Sequence, residues 1–117
     1  MFLTLNHRNL EVYRYSRNFV AECYLLAKNL PIEERFALSS QIRRAALSVH
    51  LNIAEGASRR SPAERRRFYE IARGSLIEVD TAIGLATDLN LLNGYSTETI
   101  GKLIIKCFSL LSGLLKA

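Results

Sequence analysis

Apolar residues recur along this chain at steps of three and four, and no stretch alternates apolar with polar as a half-buried strand does. From about Asn9 to Asn29, Val12, Ser16, Phe19, Cys23, Leu26/Ala27 and Leu30 fall on one helical face, with Arg14, Arg17, Ala21 and Lys28 on the other. Pro31 punctuates the chain and suits the first turn of a second helix. That helix repeats Leu38, Ile42, Ala45, Val49 and Ile53, and Gly56 is expected to stop it. Ser61-Pro62-Ala63-Glu64 is a start signal: a capping serine, a proline at the first position and a glutamate three residues after the cap. The third helix carries Phe68, Ile71/Ala72, Ser75, Val79, Ala82, Ala86 and Leu89 toward the core. Asn93-Gly94 marks a turn, and Ser96 caps a fourth helix with Ile100, Leu103/Ile104, Cys107, Leu110/Leu111 and Leu114. Four helices with one apolar stripe each and short connections predict an all-α, up-down-up-down four-helix bundle, one domain over residues 1–117.

Composition agrees and adds limits. The 117 residues are 49% hydrophobic and 23% charged, too apolar for a disordered chain. Cys23 and Cys107 form no CxxC pair, so neither a zinc site nor a disulfide framework is expected, and free thiols suit a reducing cytoplasm. The apolar C-terminal segment is interrupted by Lys102 and Lys106, short of the roughly 18 apolar residues of a membrane span. No cofactor is implied.

Two helices are apolar on the wrong side as well. With Leu38 set at 0° and about 100° per residue, Phe36, Leu47, Leu51 and Ala54 fall at roughly 160–220°, opposite the core. The back of the third helix holds Gly74, Ile77, Thr81 and Gly84, and each mid-helix glycine costs about 1 kcal/mol relative to alanine. Small residues around an isoleucine permit close approach by another helix. Leu47, Leu51, Gly74, Ile77 and Thr81 are therefore expected at a contact between copies of the chain. The plainer alternative is scattered surface apolar residues.

A polar strip borders the core of helix 2: Gln41, Arg44, Ser48, Asn52 and Glu55, with Arg73 and Glu78 on helix 3 as partners. The expectation is a hydrogen-bonded network fixing helix register; a ligand site on Asn52 and Glu55 is the alternative.

Charge is concentrated. Residues 43–73 hold eight arginines against three glutamates, an excess equal to the chain's whole net charge of +5. The cluster centres on the junction of helices 2 and 3. Arg59, Arg60, Arg65, Arg66 and Arg67 stand where a helix N-terminus is positive, a plausible place for phosphates. No zinc-finger or RNP motif is present, so contact with RNA or DNA is expected to be to phosphate and salt-sensitive. The competing possibility is a solvated end with local Arg–Glu pairs.

Catalytic signals are sparse. His7 lies near the terminus and His50 on the outer side of helix 2, neither with a local serine or cysteine partner. There is no Glu-x-x-His pair for a di-iron site, no phosphate loop and no nucleophile elbow. An enzyme is not expected; only the Asn52/Glu55/Arg73 cluster speaks for one.

The stretch Ser40-Gln41-Ile42-Arg43-Arg44-Ala45-Ala46-Leu47-Ser48-Val49, then Asn52-Ile53-Ala54-Glu55-Gly56, resembles a bacterial family of four-helix bundles first noticed as products of intervening sequences in large-subunit ribosomal RNA genes. Arg59-Arg60-Ser61 and Ile71-Ala72-Arg73-Gly74-Ser75-Leu76-Ile77-Glu78 carry the same resemblance, which runs from about Leu10 onward. It implies a homopentameric ring. It also points to the accessory variability protein of diversity-generating retroelements, which works with a reverse transcriptase and binds nucleic acid. Gln41, Arg43, Arg44, Ser48, Asn52, Glu55, Gly56, Arg73, Gly74, Ser75 and Glu78 match the family pattern. Tyr13 and His50 depart from it, standing where many members carry tryptophan and proline. A scaffold that docks a partner such as that polymerase, without touching nucleic acid, is the alternative function.

Overall fold

A computed structural model describes residues 2, 3, 5 and 10–116. It contains four α-helices and, among the described residues, no strand: α1 (Glu11–Lys28), α2 (Leu38–Ala57), α3 (Pro62–Asp88) and α4 (Glu98–Lys116). α1 packs on α2 and α4, and α3 packs on the same two helices. The α2–α3 contact is the most extensive. The core runs down the middle, with Phe19, Leu26, Ile42, Val49, Ile53, Leu76, Val79 and Leu111 all but fully buried.

α1 buries the face its spacing predicts, from Val12 through Ser16, Phe19 and Cys23 to Leu26 and Ala27. Its connection to α2 is longer and differently shaped than expected. Pro31 does not enter the first turn of α2; it leads a 3-10 turn, Ile32–Glu34, its carbonyl accepting the Glu34 N–H at 2.9 Å. At Ala37 the backbone leaves helical geometry (φ −119°, ψ −103°), so α2 starts only at Leu38. Ile32 and Phe36 are left on the surface, Phe36 at 85% exposure.

α2 ends at Ala57, next to the expected Glu55-Gly56 boundary, but the glycine itself does not form the cap. It lies inside α2, whose end is closed one residue after Ala57 by the Ser58 N–H on the Ala54 and Glu55 carbonyls. What Gly56 provides is room: a Cβ there would stand 2.9 Å from Tyr69 Cε1 and 3.0 Å from Phe68 Cβ. α3 crosses α2 at the one turn where α2 has no side chain.

The start of α3 is as the sequence predicts, with Ser61 Oγ accepting the Glu64 N–H at 3.3 Å and Pro62 at the first position. Ala72, Ser75, Val79, Ala82 and Ala86 are buried as expected, and the buried face widens from them toward Tyr69, Leu76 and Ile83. Tyr69, Ala72, Leu76, Val79, Ile83 and Ala86 form a seam at alternating steps of three and four. Phe68 is half-buried, Ile71 is 42% exposed and Leu89 is 55% exposed. Apolar spacing on a helix this rich in apolar residues admits both phases, and packing on α2 and α4 together selects the one with Tyr69, Leu76 and Ile83 inside.

The α3–α4 turn holds the left-handed residues Asn90, Asn93 and Gly94 (φ 56°, 50° and 78°), as the Asn-Gly pair suggests. Ser96 Oγ then accepts the Glu98 N–H at 3.3 Å, and α4 buries Ile100, Cys107, Leu111 and Leu115.

Candidate functional site

The arginine-rich region resolves into one corner and three outliers. α2 rises about 1.5 Å per residue, which puts Arg43 and Arg44 more than about 20 Å along the axis from Arg59. Arg73 faces α4, donating to Ser112 Oγ at 3.3 Å with its guanidinium 5.9 Å from the Phe108 ring. The corner itself therefore consists of Arg59, Arg60, Arg65, Arg66 and Arg67, in the α2–α3 connection and the first turns of α3.

Three of these five are engaged within the protein. Arg59 Nη2 donates to Glu55 Oε1 at 2.6 Å, its guanidinium lies 5.0 Å from the Phe68 ring, and its Nε is buried without a hydrogen-bond partner. Both partners of that pair are well exposed, so it is worth only about 0.2–1 kcal/mol. Arg65 Nη1 donates to the carbonyls of Arg59 and Arg60, at 2.9 and 2.8 Å, and so shapes the connection. Arg66 Nη1 donates to the Leu115 carbonyl in the last turn of α4, where unpaired carbonyls and the helix dipole both favour a cation. Arg60 and Arg67 are exposed and make no ion pair among the described residues.

The polar strip does not form one network. Gln41 Nε2 donates to Glu78 Oε2 at 3.1 Å. Separately, Ser48 and Ser75 hydroxyls meet at 2.8 Å, and Asn52 Nδ2 donates to the Ser48 carbonyl at 2.8 Å and to Ser48 Oγ at 3.1 Å. Arg44 lines a shallow cleft with Gln41, Ser48, Ser75 and Glu78. Glu55 is drawn away to Arg59 and Arg73 to α4, so neither joins the others. Asn52 and Glu55 do line another open cleft, with Leu5, Leu51, Ala54, Ser58 and Phe68.

Of the outward apolar positions, Leu47, Leu51 and Ile77 lie where the helical phase puts them, whereas Phe36 precedes α2 and Ala54 packs against the core. Leu51 is 60% exposed, Leu47 less so, and Ile77 is half exposed. Thr81 Oγ1 donates to the Ile77 carbonyl at 2.8 Å, within its own helix. A Cβ added at Gly74 or Gly84 would meet nothing within 4 Å, so nothing in this chain requires glycine there. The helical reading of α4 overlooked a further patch: Ile105 and Phe108 are exposed and line an apolar groove with Leu76, Ile77, Asp80 and Ile104. Their signal was present, since Ile105 lies well off the stripe through Ile100, Cys107 and Leu111.

One serine–histidine contact was also overlooked. His50 is not on the outer side of α2: it is half-buried against α1, its ring 4.5 Å from Tyr13 and its Nδ1 2.7 Å from Ser16 Oγ. Ser16 is completely buried and donates to the Tyr13 carbonyl at 3.0 Å, so it accepts from His50. A serine on the buried face of α1 needed such a partner, and that was the available clue. His7 lies outside the described residues.

Both thiols are buried. Burial raises the Cys107 pKa to about 12; it also raises that of Cys23, with the neighbouring Cys107 adding to the rise. Among the described residues, no three His, Cys, Asp or Glu side chains are grouped to hold a metal ion, and no helix is long and apolar enough to cross a membrane.

These features define an all-helical four-helix protein with a basic corner at its α2–α3 connection and apolar residues on its outer faces. The chain belongs to the 23S rRNA-intervening sequence protein family, whose model matches residues 8–113. No match was found among curated proteins.

Proposed function

We propose that the protein is a non-enzymatic, self-assembling four-helix bundle of the cytoplasm that contacts RNA or DNA phosphates through its arginine corner. The observation that carries this reading is the pair Arg60 and Arg67, exposed at one corner without acidic partners among the described residues. Up-down-up-down order is supported by which residues meet: Ser39 with Ala27 and His50 with Ser16, Gln41 with Glu78 and Ser48 with Ser75, Arg66 with Leu115 and Arg73 with Ser112. In each pair of helices one number rises as the other falls.

Self-assembly, in the ring of five that the family resemblance implies, is supported by Leu47, Leu51 and Ile77 lying outward and by Gly74 facing open space. Several copies on one strand would add avidity to a weak contact. A titration with single-stranded RNA and with duplex DNA at two salt concentrations tests the reading. Binding that weakens with salt is expected; no binding at low salt removes it. Leu47→Asp should lower the mass seen by light scattering, and an unchanged oligomer would remove Leu47 from the contact.

The groove of Ile77, Ile105 and Phe108 favours a second reading, a scaffold that docks a protein such as a reverse transcriptase. It predicts that a protein partner is still recovered after nuclease treatment.

A further inference from the structure

We infer that the phosphate contact at the corner is made by Arg60 and Arg67 alone, and that Arg59, Arg65 and Arg66 build the corner without binding. The inference rests on the nucleic-acid reading and divides its residues. Taking Arg59 to a phosphate would break its 2.6 Å pair with Glu55 and lift it from Phe68. Arg65 Nη1 is held by two backbone carbonyls, those of Arg59 and Arg60, which commits its guanidinium to the shape of the connection. Taking Arg66 would uncover the end of α4. Arg60 and Arg67 carry no such commitment.

Their surroundings set the scale. Glu64 and Glu70 stand three residues to either side of Arg67 on α3, and neither forms an ion pair with it. Both lower the local potential and keep the contact of a single copy weak. The ligand this suits is a long, flexible phosphate polymer that several copies engage together, read without regard to sequence.

The experiment uses the full-length protein and a long uridine homopolymer, with affinity measured across a salt series. Each phosphate contact on a single strand contributes about 0.7 to the slope of log affinity against log salt. Removing two contacts with Arg60→Gln/Arg67→Gln should flatten the slope by about 1.4 for each copy in contact, with the melting temperature unchanged. Arg59→Gln, Arg65→Gln and Arg66→Gln should each lower the melting temperature and leave the slope as in the wild type. Glu70→Gln should tighten binding. The inference is overturned if the double variant keeps the wild-type slope, or if Arg59→Gln, Arg65→Gln or Arg66→Gln flattens it by the roughly 0.7 per copy that one lost contact gives. Failure of the wild type to bind the homopolymer at low salt overturns the nucleic-acid reading together with it.

Discussion

Replacing Gly56 by alanine adds one methyl group where α3 packs tightly on α2. Its Cβ would lie 2.9 Å from Tyr69 Cε1 and 3.0 Å from Phe68 Cβ. Carbon atoms are at their best separation at about 3.5–4.0 Å, so each contact is short by half an ångström or more. The Phe68 Cβ cannot retreat without the α3 backbone. The Tyr69 ring is 6% exposed and has packed neighbours behind it. The helices must therefore move apart, and overpacking of this kind costs about 1–3 kcal/mol. Alanine returns up to about 1 kcal/mol by its better helix propensity. Gly113→Ala supplies the control, because a Cβ there meets nothing within 4 Å and only the propensity gain remains. The two variants should differ by about 1–3 kcal/mol, or several degrees in melting temperature for a domain of this size. Far-UV circular dichroism during heating and in urea, repeated at several protein concentrations, separates this from any change in assembly. Equal stabilisation by both substitutions would refute the close crossing.

The two thiols give a pH prediction. An unfolded cysteine loses its proton near the ordinary value of 9.0, whereas folded Cys107 holds it up to about 12. Stability from this source is complete below pH 9 and lost as pH rises from about 9 toward 12, because the unfolded chain then ionises and the native one does not. Replacing Cys107 by alanine should flatten that alkaline loss in urea unfolding; an unchanged pH profile would refute the assignment. In a thiol-reagent assay at neutral pH, Cys23 and Cys107 should stay unmodified until denaturant is added, and rapid native labelling would contradict their burial. Ser16→Ala removes the hydroxyl that His50 Nδ1 reaches at 2.7 Å and should lower unfolding stability by about 1–2 kcal/mol. A variant as stable as the wild type would show that this contact contributes nothing.

Periodicity made α1 legible almost residue by residue, because its apolar face is bordered by clearly polar neighbours such as Arg14, Arg17 and Lys28. α3 was harder for the opposite reason. Phe68 and Tyr69, Ile71 and Ala72, and Leu76 and Ile77 are adjacent apolar pairs, so local pattern alone does not choose which member faces in. That choice depends on the direction from which α2 and α4 arrive. The arginine corner was visible as composition, but composition counts charges without their partners. Arg65 reaching back to the carbonyls of residues 59 and 60, and Arg66 reaching across to Leu115, are contacts that exist only once the chain has turned. His50 was misjudged because a single helical wheel has an outside, whereas the flank of α2 at that position is already covered by α1.

The crossing at Gly56 gives the molecule a keel. α2 and α3 share the most extensive contact of any pair, while α1 and α4 each touch one keel helix and one another. All four helices still share one core, with Phe19 and Leu26 from α1 and Leu111 from α4 closing over the keel. The arginines at positions 59–67 sit where the chain passes from one keel helix to the other, and Arg66 ties that passage to the last turn of α4.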